Sequence, residues 1–326
     1  MVTIQEVAKR AKVSTATVSR VLNNIDGVKE ATRARVLDAI RELDYHPSSI
    51  GRNLRLQESH TVMVLIPDVT NPFFSGIVQS IELTAHKYGY DVLLFDLSGR
   101  EDALQEVDAF IDSRKIDGVI FLASTNHVES LRRFAEKCTI VVACEYVDNV
   151  DIPSVSVDNI AAAIEAVNYL ISLGHRDILF LNPKDRDRLR GYRIALEQSG
   201  IPVRPEFQIE AGSALSGGYI AIERAIAEKL DFSAVFCAND LVAIGAMKAA
   251  AKHGIRVPHD LSVVGFDGLQ FGEYTLPSLT TVSQPIEEIG RRAMEIWVRI
   301  HRGEVVDYPV RVQHTLTIRE SCAPRK

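Results

Sequence analysis

The sequence predicts an all-α head followed by an α/β body built on parallel sheets. Three observations carry this. Residues 1–60 hold three stretches of helically spaced apolar residues. From residue 61, short apolar runs alternate with amphipathic stretches, the pattern of strands and helices that makes parallel sheets covered on both faces. Charge divides at the same place: residues 1–60 carry 10 Lys+Arg against 7 Asp+Glu, a net of +3, whereas the remainder carries 27 against 36, a net of −9. A basic head on an acidic body suggests that the head alone meets a polyanion.

Composition excludes several classes. The 326 residues are 46 % apolar and 25 % charged, which is globular and neither disordered nor collagen-like. At roughly 100–200 residues per domain, two or three domains are expected. Cys138, Cys144, Cys237 and Cys322 form no C-x-x-C pair, and a reducing cytosol fits them best. The opening, with Lys9, Arg10, Lys12 and Arg20, lacks the apolar core of a secretory signal. No apolar run approaches the ~20 residues that would span a bilayer, so no membrane partner is expected.

In the head, Thr3-Ile4-Gln5-Glu6 reads as a capping box, followed by Ile4, Val7, Ala8 and Ala11 on one helix face. Ser14 is the next N-cap, ahead of Val18, Val21 and Leu22. The short link Ala11–Val13 forces a tight angle between these helices, as in a helix-turn-helix. A third helix is expected over residues 30–44, with Val36, Ile40 and Leu43 inward. Thr15, Ala16, Ser19, Arg20 and Asn23 are expected to fall away from the apolar stripe of the second helix. Small and hydrogen-bonding side chains can enter a major groove, and Arg can grip guanine with two bonds. A plain three-helix bundle with a polar exterior satisfies the same periodicity.

The residues themselves add more. Val2-Thr3-Ile4-Gln5-Glu6-Val7-Ala8, then Val13-Ser14-Thr15-Ala16-Thr17-Val18-Ser19-Arg20-Val21-Leu22-Asn23, resemble the head of the lactose-repressor/galactose-repressor family of bacterial transcription regulators. Thr32-Arg33, Tyr45-x-Pro47 and the hinge Ser48-Ser49-Ile50-Gly51-Arg52-Asn53-Leu54 also match. The resemblance implies base-reading positions at Thr15, Ala16 and Arg20. It places Arg52 and Leu54 in a hinge helix, with Leu54 as a minor-groove wedge. Lys29 replaces the usual Ser cap of the third helix, and Gly51 replaces the usual Ala of the hinge.

The body opens with Thr61–Ile66, a helix over 73–88 with Phe74, Ile77, Ile81 and Ala85 on one face, then Asp91–Leu97 and a helix near 101–114. Strands follow at Gly118–Ala123, Thr139–Cys144, Ile178–Leu181, Ala234–Ala238 and Leu261–Phe266, enough for two sheets. Sites in such sheets lie off the carboxyl ends of the strands. Fingerprints for dinucleotides, P-loop phosphates, serine hydrolases and zinc proteases are missing there, so no enzyme, cofactor or metal is expected. The strand ends carry Asp68 to Phe74, Glu145-Tyr146, Asn239-Asp240 and Asp267, a polar and aromatic set suited to a neutral polyol ring. Asp158 and Asp240 equally fit as simple helix caps.

The same resemblance continues through Pro67-Asp68-x-x-Asn71-Pro72-Phe73-Phe74, Asp117-Gly118-Val119-Ile120, Val157-Asp158-Asn159, Val263-Val264-Gly265-Phe266-Asp267 and Ile318-Arg319-Glu320-Ser321. It implies a two-lobed periplasmic-binding-protein-like body with an effector in the cleft. The implied layout is a helix-turn-helix head at 1–46, a hinge and linker at 47–60, and an effector-binding and dimerisation body at 61–326. Lobe one would take about 61–158 and 286–308, and lobe two about 159–285 and 309–326. Arg188, Asn239 and Asp267 fall at effector-contacting positions, with Asn71, Phe73 and Glu145 as further placements. Ser213 stands where several members have an aromatic, and the loop before Arg188 is shorter than usual. Glu145-Tyr146, Ile152-Pro153 and Asp158-Asn159 look closest to the cytidine-repressor branch, a hint toward nucleosides. The implied protein is a cytoplasmic transcriptional regulator, read as a repressor, that pairs as a homodimer on a pseudo-palindromic operator. Its effector would be a small sugar or nucleoside. A sugar-binding module without DNA activity and an enzyme of the same layered build are the rival classes.

Overall fold

In the computed structural model, the structure describes residues 2–22, 27–45, 58–98, 100, 102–122, 127–147, 150–182 and 184–325. The chain divides into two compact units, Met1–Glu58 and Ser59–Lys326.

The first unit is helical. The capping box forms at α1 (Ile4–Ala11): the Glu6 amide donates to Thr3 Oγ1 at 3.4 Å and the Thr3 amide donates to Glu6 Oε2 at 2.7 Å. The Thr3 amide and, at 3.0 Å, the Thr3 hydroxyl both donate to the Glu6 carboxylate and hold it below its ordinary range. Lys12, at φ 55°, ends the helix in the left-handed region. The Ser14 hydroxyl then accepts from the Thr17 amide at 3.2 Å and starts α2 (Thr15–Leu22). Lys29 gives α3 (Glu30–Glu42) no side-chain cap. Val7, Ala8, Ala11, Val18, Val21, Val36 and Ala39 form the core, and Ile40 and Leu43 pack half-buried around it.

The second unit holds two six-stranded sheets. The first lobe contributes β1 (Thr61–Ile66), α4 (Pro72–Tyr88), β2 (Asp91–Asp96), α5 (Ala103–Asp112), β3 (Gly118–Leu122), α6 (Val128–Ala135), β4 (Thr139–Ala143) and β5 (Ser154–Ser156). The second contributes α7 (Asn159–Ser172), β6 (Ile178–Asn182), α8 (Arg186–Gln198), β7 (Gln208–Glu210), α9 (Leu215–Ala227), β8 (Ala234–Cys237), α10 (Asp240–Lys252), β9 (Ser262–Asp267) and β10 (Thr280–Ser283). The chain then returns to the first lobe as α11 (Ile286–His301) and β11 (Val310–Arg311), and closes the second with β12 (Thr315–Thr317).

The first sheet runs β11-β5-β4-β3-β1-β2 and is parallel throughout. The second runs β12-β10-β9-β8-β6-β7, with β12 antiparallel to β10. Both faces of each sheet are covered, so the central strands are apolar along their length: β3 is buried at every position. Three chain segments connect the lobes, after β5, β10 and β11. Val310 pairs with Val155 and Arg311 with Ser156. The last crossing therefore follows residue 311, beyond the boundary at about 308 that the sequence suggests.

One packing detail corrects the sequence reading. On α4 the inward side chain is Phe73, while Phe74 is half-buried at the margin. Close approach explains the glycines of α9 and α10: a Cβ on Gly218 would lie 1.9 Å from the Val242 carbonyl oxygen, and one on Gly245 would lie 1.9 Å from that of Leu215. With only hydrogen at these two positions, the helices touch backbone to backbone.

Candidate functional site

In the head, Thr15, Ala16 and Arg20 are exposed on α2, opposite the buried Val18 and Val21. Ser19 does not share that exposure. It lies between Thr15 and Ala16 in angle around the helix, yet it is only 9 % exposed. Asn23, Gly51, Arg52 and Leu54 lie outside the described residues.

In the body, the ends of the strands bring a polar group together on the second lobe. Asp267 ends β9, is 3 % exposed and sits at φ 115°. Arg188, from the first turn of α8, places NH1 3.6 Å from Asp267 Oδ1. The short loop before it therefore does not draw Arg188 away. Asp185 caps α8 by accepting from the Arg188 amide at 2.8 Å and also pairs with its Nε at 3.0 Å, so the loop that positions the helix positions the guanidinium. The guanidinium lies 3.7 Å over the Phe266 ring, donates to the Ala238 carbonyl, and donates from Nε to Asn159 Oδ1 at 3.2 Å. Asn159 Nδ2 in turn donates to the Cys144 carbonyl at 3.3 Å, which ties the second lobe to the end of β4 in the first.

Burial pushes the Asp267 carboxyl up to about 7, opposed by Arg188 and by the amide of Gln284. Gln284 Nε2 donates to Asp267 Oδ1 at 2.9 Å, and its Oε1 is buried with no partner among the described residues. Sequence reasoning did not select Gln284. Its signal was present in Gln284 following the β10 run, at a lobe crossing where a buried amide has little structural purpose.

The remaining candidates divide between capping and cleft. Asn239 Oδ1 accepts from the Val242 amide at 2.8 Å, capping α10, and Nδ2 donates to the Ser213 carbonyl at 3.0 Å. Asp240 is not the cap; it is buried, accepts from Thr281 Oγ1 and the Leu269 amide at 2.6 Å each, and burial beside Asp267 pushes it up to about 8. Asp158 caps α7, accepting from the Ala161 amide at 2.9 Å. Asn71 caps α4, accepting from the Phe73 amide at 3.0 Å. Phe73 is buried in the first lobe's core, so its ring is a packing surface rather than an open stacking face. Glu145 is half-buried beside Tyr146, whose ring lies 5.0 Å from the Arg311 guanidinium carbon.

Among the described residues, no three His, Cys, Asp or Glu side chains are grouped to hold a metal. The thiols are free, and burial raises Cys138 to about 12 and Cys322 to about 11, far from nucleophilic activation. The arrangement can hold neutral hydroxyls: a carboxylate and a carbonyl accept and a guanidinium donates.

Residues 3–48 match the profile of bacterial regulatory proteins of the lacI family, and residues 59–320 match periplasmic binding proteins and the sugar binding domain of the LacI family. The chain belongs to the LacI family. It is 39 % identical over 313 residues to the HTH-type transcriptional repressor CytR of Escherichia coli (strain K12), covering 93 % of this chain and 91 % of that one. It superposes on a crystal structure of the lac repressor dimer bound to operator and the anti-inducer ONPF with a TM-score of 0.88, at 26 % identity, covering 99 % of each chain. A transcriptional regulator CelR–cellobiose complex matches with a TM-score of 0.73 at 30 % identity, over 98 % of this chain and 100 % of that one. Like other LacI-family proteins, the chain is a DNA-binding transcriptional regulator controlled by a small effector, and not an enzyme. Among the described residues no helix is long and apolar enough to cross a membrane.

Proposed function

We propose that this LacI-family regulator is a cytoplasmic repressor that binds a neutral, hydroxyl-rich effector, a sugar or a nucleoside, against Arg188, Asp267 and Gln284. The observation that carries it is the buried Gln284 Oε1 with no donor, beside a carboxylate already bonded at one oxygen. A hydroxyl or amino group of a ligand would satisfy the first and share the second. Glu145 and Asn71 belong to the first lobe's side of the same ligand, and Asn239 contributes through the order it gives the start of α10. A phosphorylated ligand is disfavoured, because Asp267 and Glu145 repel it and Arg188 is already shared with Asp185 and Asp267.

At the other end, Thr15, Ala16 and Arg20 read base edges, and Asn23, Arg52 and Leu54 are further DNA contacts of this reading. The CytR name and the cellobiose bound to CelR support both halves of this reading. The lac repressor dimer on its operator supports a homodimer on a pseudo-palindromic site, since two copies double the sequence that one helix reads.

A thermal-shift screen of the purified protein over nucleosides, free sugars and sugar phosphates tests the effector class. A ligand at 100 times its Kd adds about 2.7 kcal/mol. Stabilisation by a nucleoside or free sugar is expected. A preference for sugar phosphates overturns the reading.

A further inference from the structure

We propose that Leu269 and Leu241 form an apolar latch that holds the two lobes against each other. Leu269 follows β9 in the second lobe, yet it is buried, at 4 % exposure, within the first lobe's core cluster, together with Ile66, Phe73 and Ile77. Among the described residues, the other buried members of that cluster come from the first lobe or the crossing segments next to it. Leu241, in the first turn of α10, packs on the same cluster from the second lobe.

The local chain explains how Leu269 reaches across. Asp267 at φ 115° and Gly268 at φ 79° turn the backbone sharply at the end of β9. A Cβ on Gly268 would lie 2.7 Å from Ser283 Cα, so this turn requires glycine. The Leu269 amide then donates to Asp240 Oδ2 at 2.6 Å, and Asp240 immediately precedes Leu241. One buried carboxylate thus fixes both latch residues, one through its amide and the other through the chain.

The latch is separable from a lobe's own core, since neither leucine is needed to close the second lobe's sheet. Parting the lobes would expose both side chains to water and leave their seats in the first lobe empty. The link to regulation rests on the reading of Asp267 as a ligand group: the three residues 267–269 carry that carboxylate at one end and the latch at the other. A ligand that draws Asp267 then acts on the lobe contact directly.

Hydrogen exchange on the full-length protein, without any ligand, tests the latch, so its outcome is independent of the effector screen. In Leu269→Asn and Leu241→Asn, amides at the start of α4 (residues 73–77) and at 267–269 are expected to exchange at least about tenfold faster, while those of β4 and β8 keep their rates. Small-angle scattering is expected to show a larger radius of gyration. Leu269→Met is expected to restore both. If the asparagine variants do not fold, Leu269→Ala and Leu241→Ala are read in the same way. Loosening confined to 267–269, uniform loosening that includes β4 and β8, or unchanged exchange each overturns the proposal.

Discussion

Gln284 donates its side-chain amide to Asp267 at 2.9 Å, and this single bond decides which way its carbonyl faces. With Nε2 on the carboxylate, Oε1 is left buried and unbonded. A buried acceptor without a donor costs roughly 1–3 kcal/mol, a cost that a bound donor would remove. Calorimetry on Gln284→Ala and Arg188→Ala, with the ligand found by the screen, is expected to show each losing roughly 1.5–3 kcal/mol of binding. Unchanged affinity in both would place the ligand elsewhere.

Arg20 is exposed on α2, on the face that carries Thr15 and Ala16. Arg20→Ala is expected to weaken operator binding by about 1–3 kcal/mol and to relax preference at one base pair. Gel-shift titrations on operator and on random duplex check this. An equal loss on both would reduce Arg20 to a phosphate contact.

Asp240 and Asp267 are held above the ordinary carboxylate range by burial, up to about 8 and about 7. In the unfolded chain both are ionised above about pH 4. Between there and the folded values the native state holds more protons than the unfolded one, so stability falls as pH rises. Asp240→Asn removes one of these protonations. Denaturant unfolding at pH 5.5 and pH 8.5 is expected to show a decline in the wild type that the variant reduces by on the order of 2 kcal/mol. An unchanged decline in the variant would show that Asp240 is ionised throughout.

Gly245 meets the Leu215 carbonyl oxygen at a distance no side chain could keep. Gly245→Ala gains helix propensity, about 1 kcal/mol, but must push α9 and α10 apart. A net loss of more than about 2 kcal/mol in the body's unfolding transition is expected, the scale of overpacking a close contact. A stabilised variant would mean that the two helices separate freely.

Thr3 supports α1 through reciprocal bonds with Glu6. Thr3→Ala is expected to cost about 1 kcal/mol of head stability, read from the head's own melting transition, and to leave the body's transition in place.

The head was legible because its signals are local. Caps at Thr3 and Ser14 and the stripe Val7, Ala8, Ala11 set each helix from neighbours within four residues. Ser19 misled because polarity and its place between Thr15 and Ala16 both suggested exposure, whereas it is 9 % exposed in the packed head. In the body the long apolar strands were readable from their runs. The short ones, β5, β7, β10, β11 and β12, were not, because two to four residues carry too little periodicity and pairing partners decide them. In the cleft, Asp267 and Arg188 were reachable by motif. The division of Asn239-Asp240 into cap and buried carboxylate was not, since it depends on Leu269 and Thr281, about 30 and 40 residues further on.

The interleaving of the lobes also bears on synthesis. The first sheet lacks β11 until residues 310–311 are made, and the second lacks β12 until 315–317, while Arg325 still donates to Asp177 at 2.7 Å. Translation therefore delivers a head that can fold within its first sixty residues long before either sheet can be finished. At about 5–20 residues per second, the body spends some tens of seconds at most with open edges on the ribosome. A nascent chain stalled before residue 310 would expose a DNA reader on an unfinished sensor, capable of meeting DNA and incapable of answering an effector.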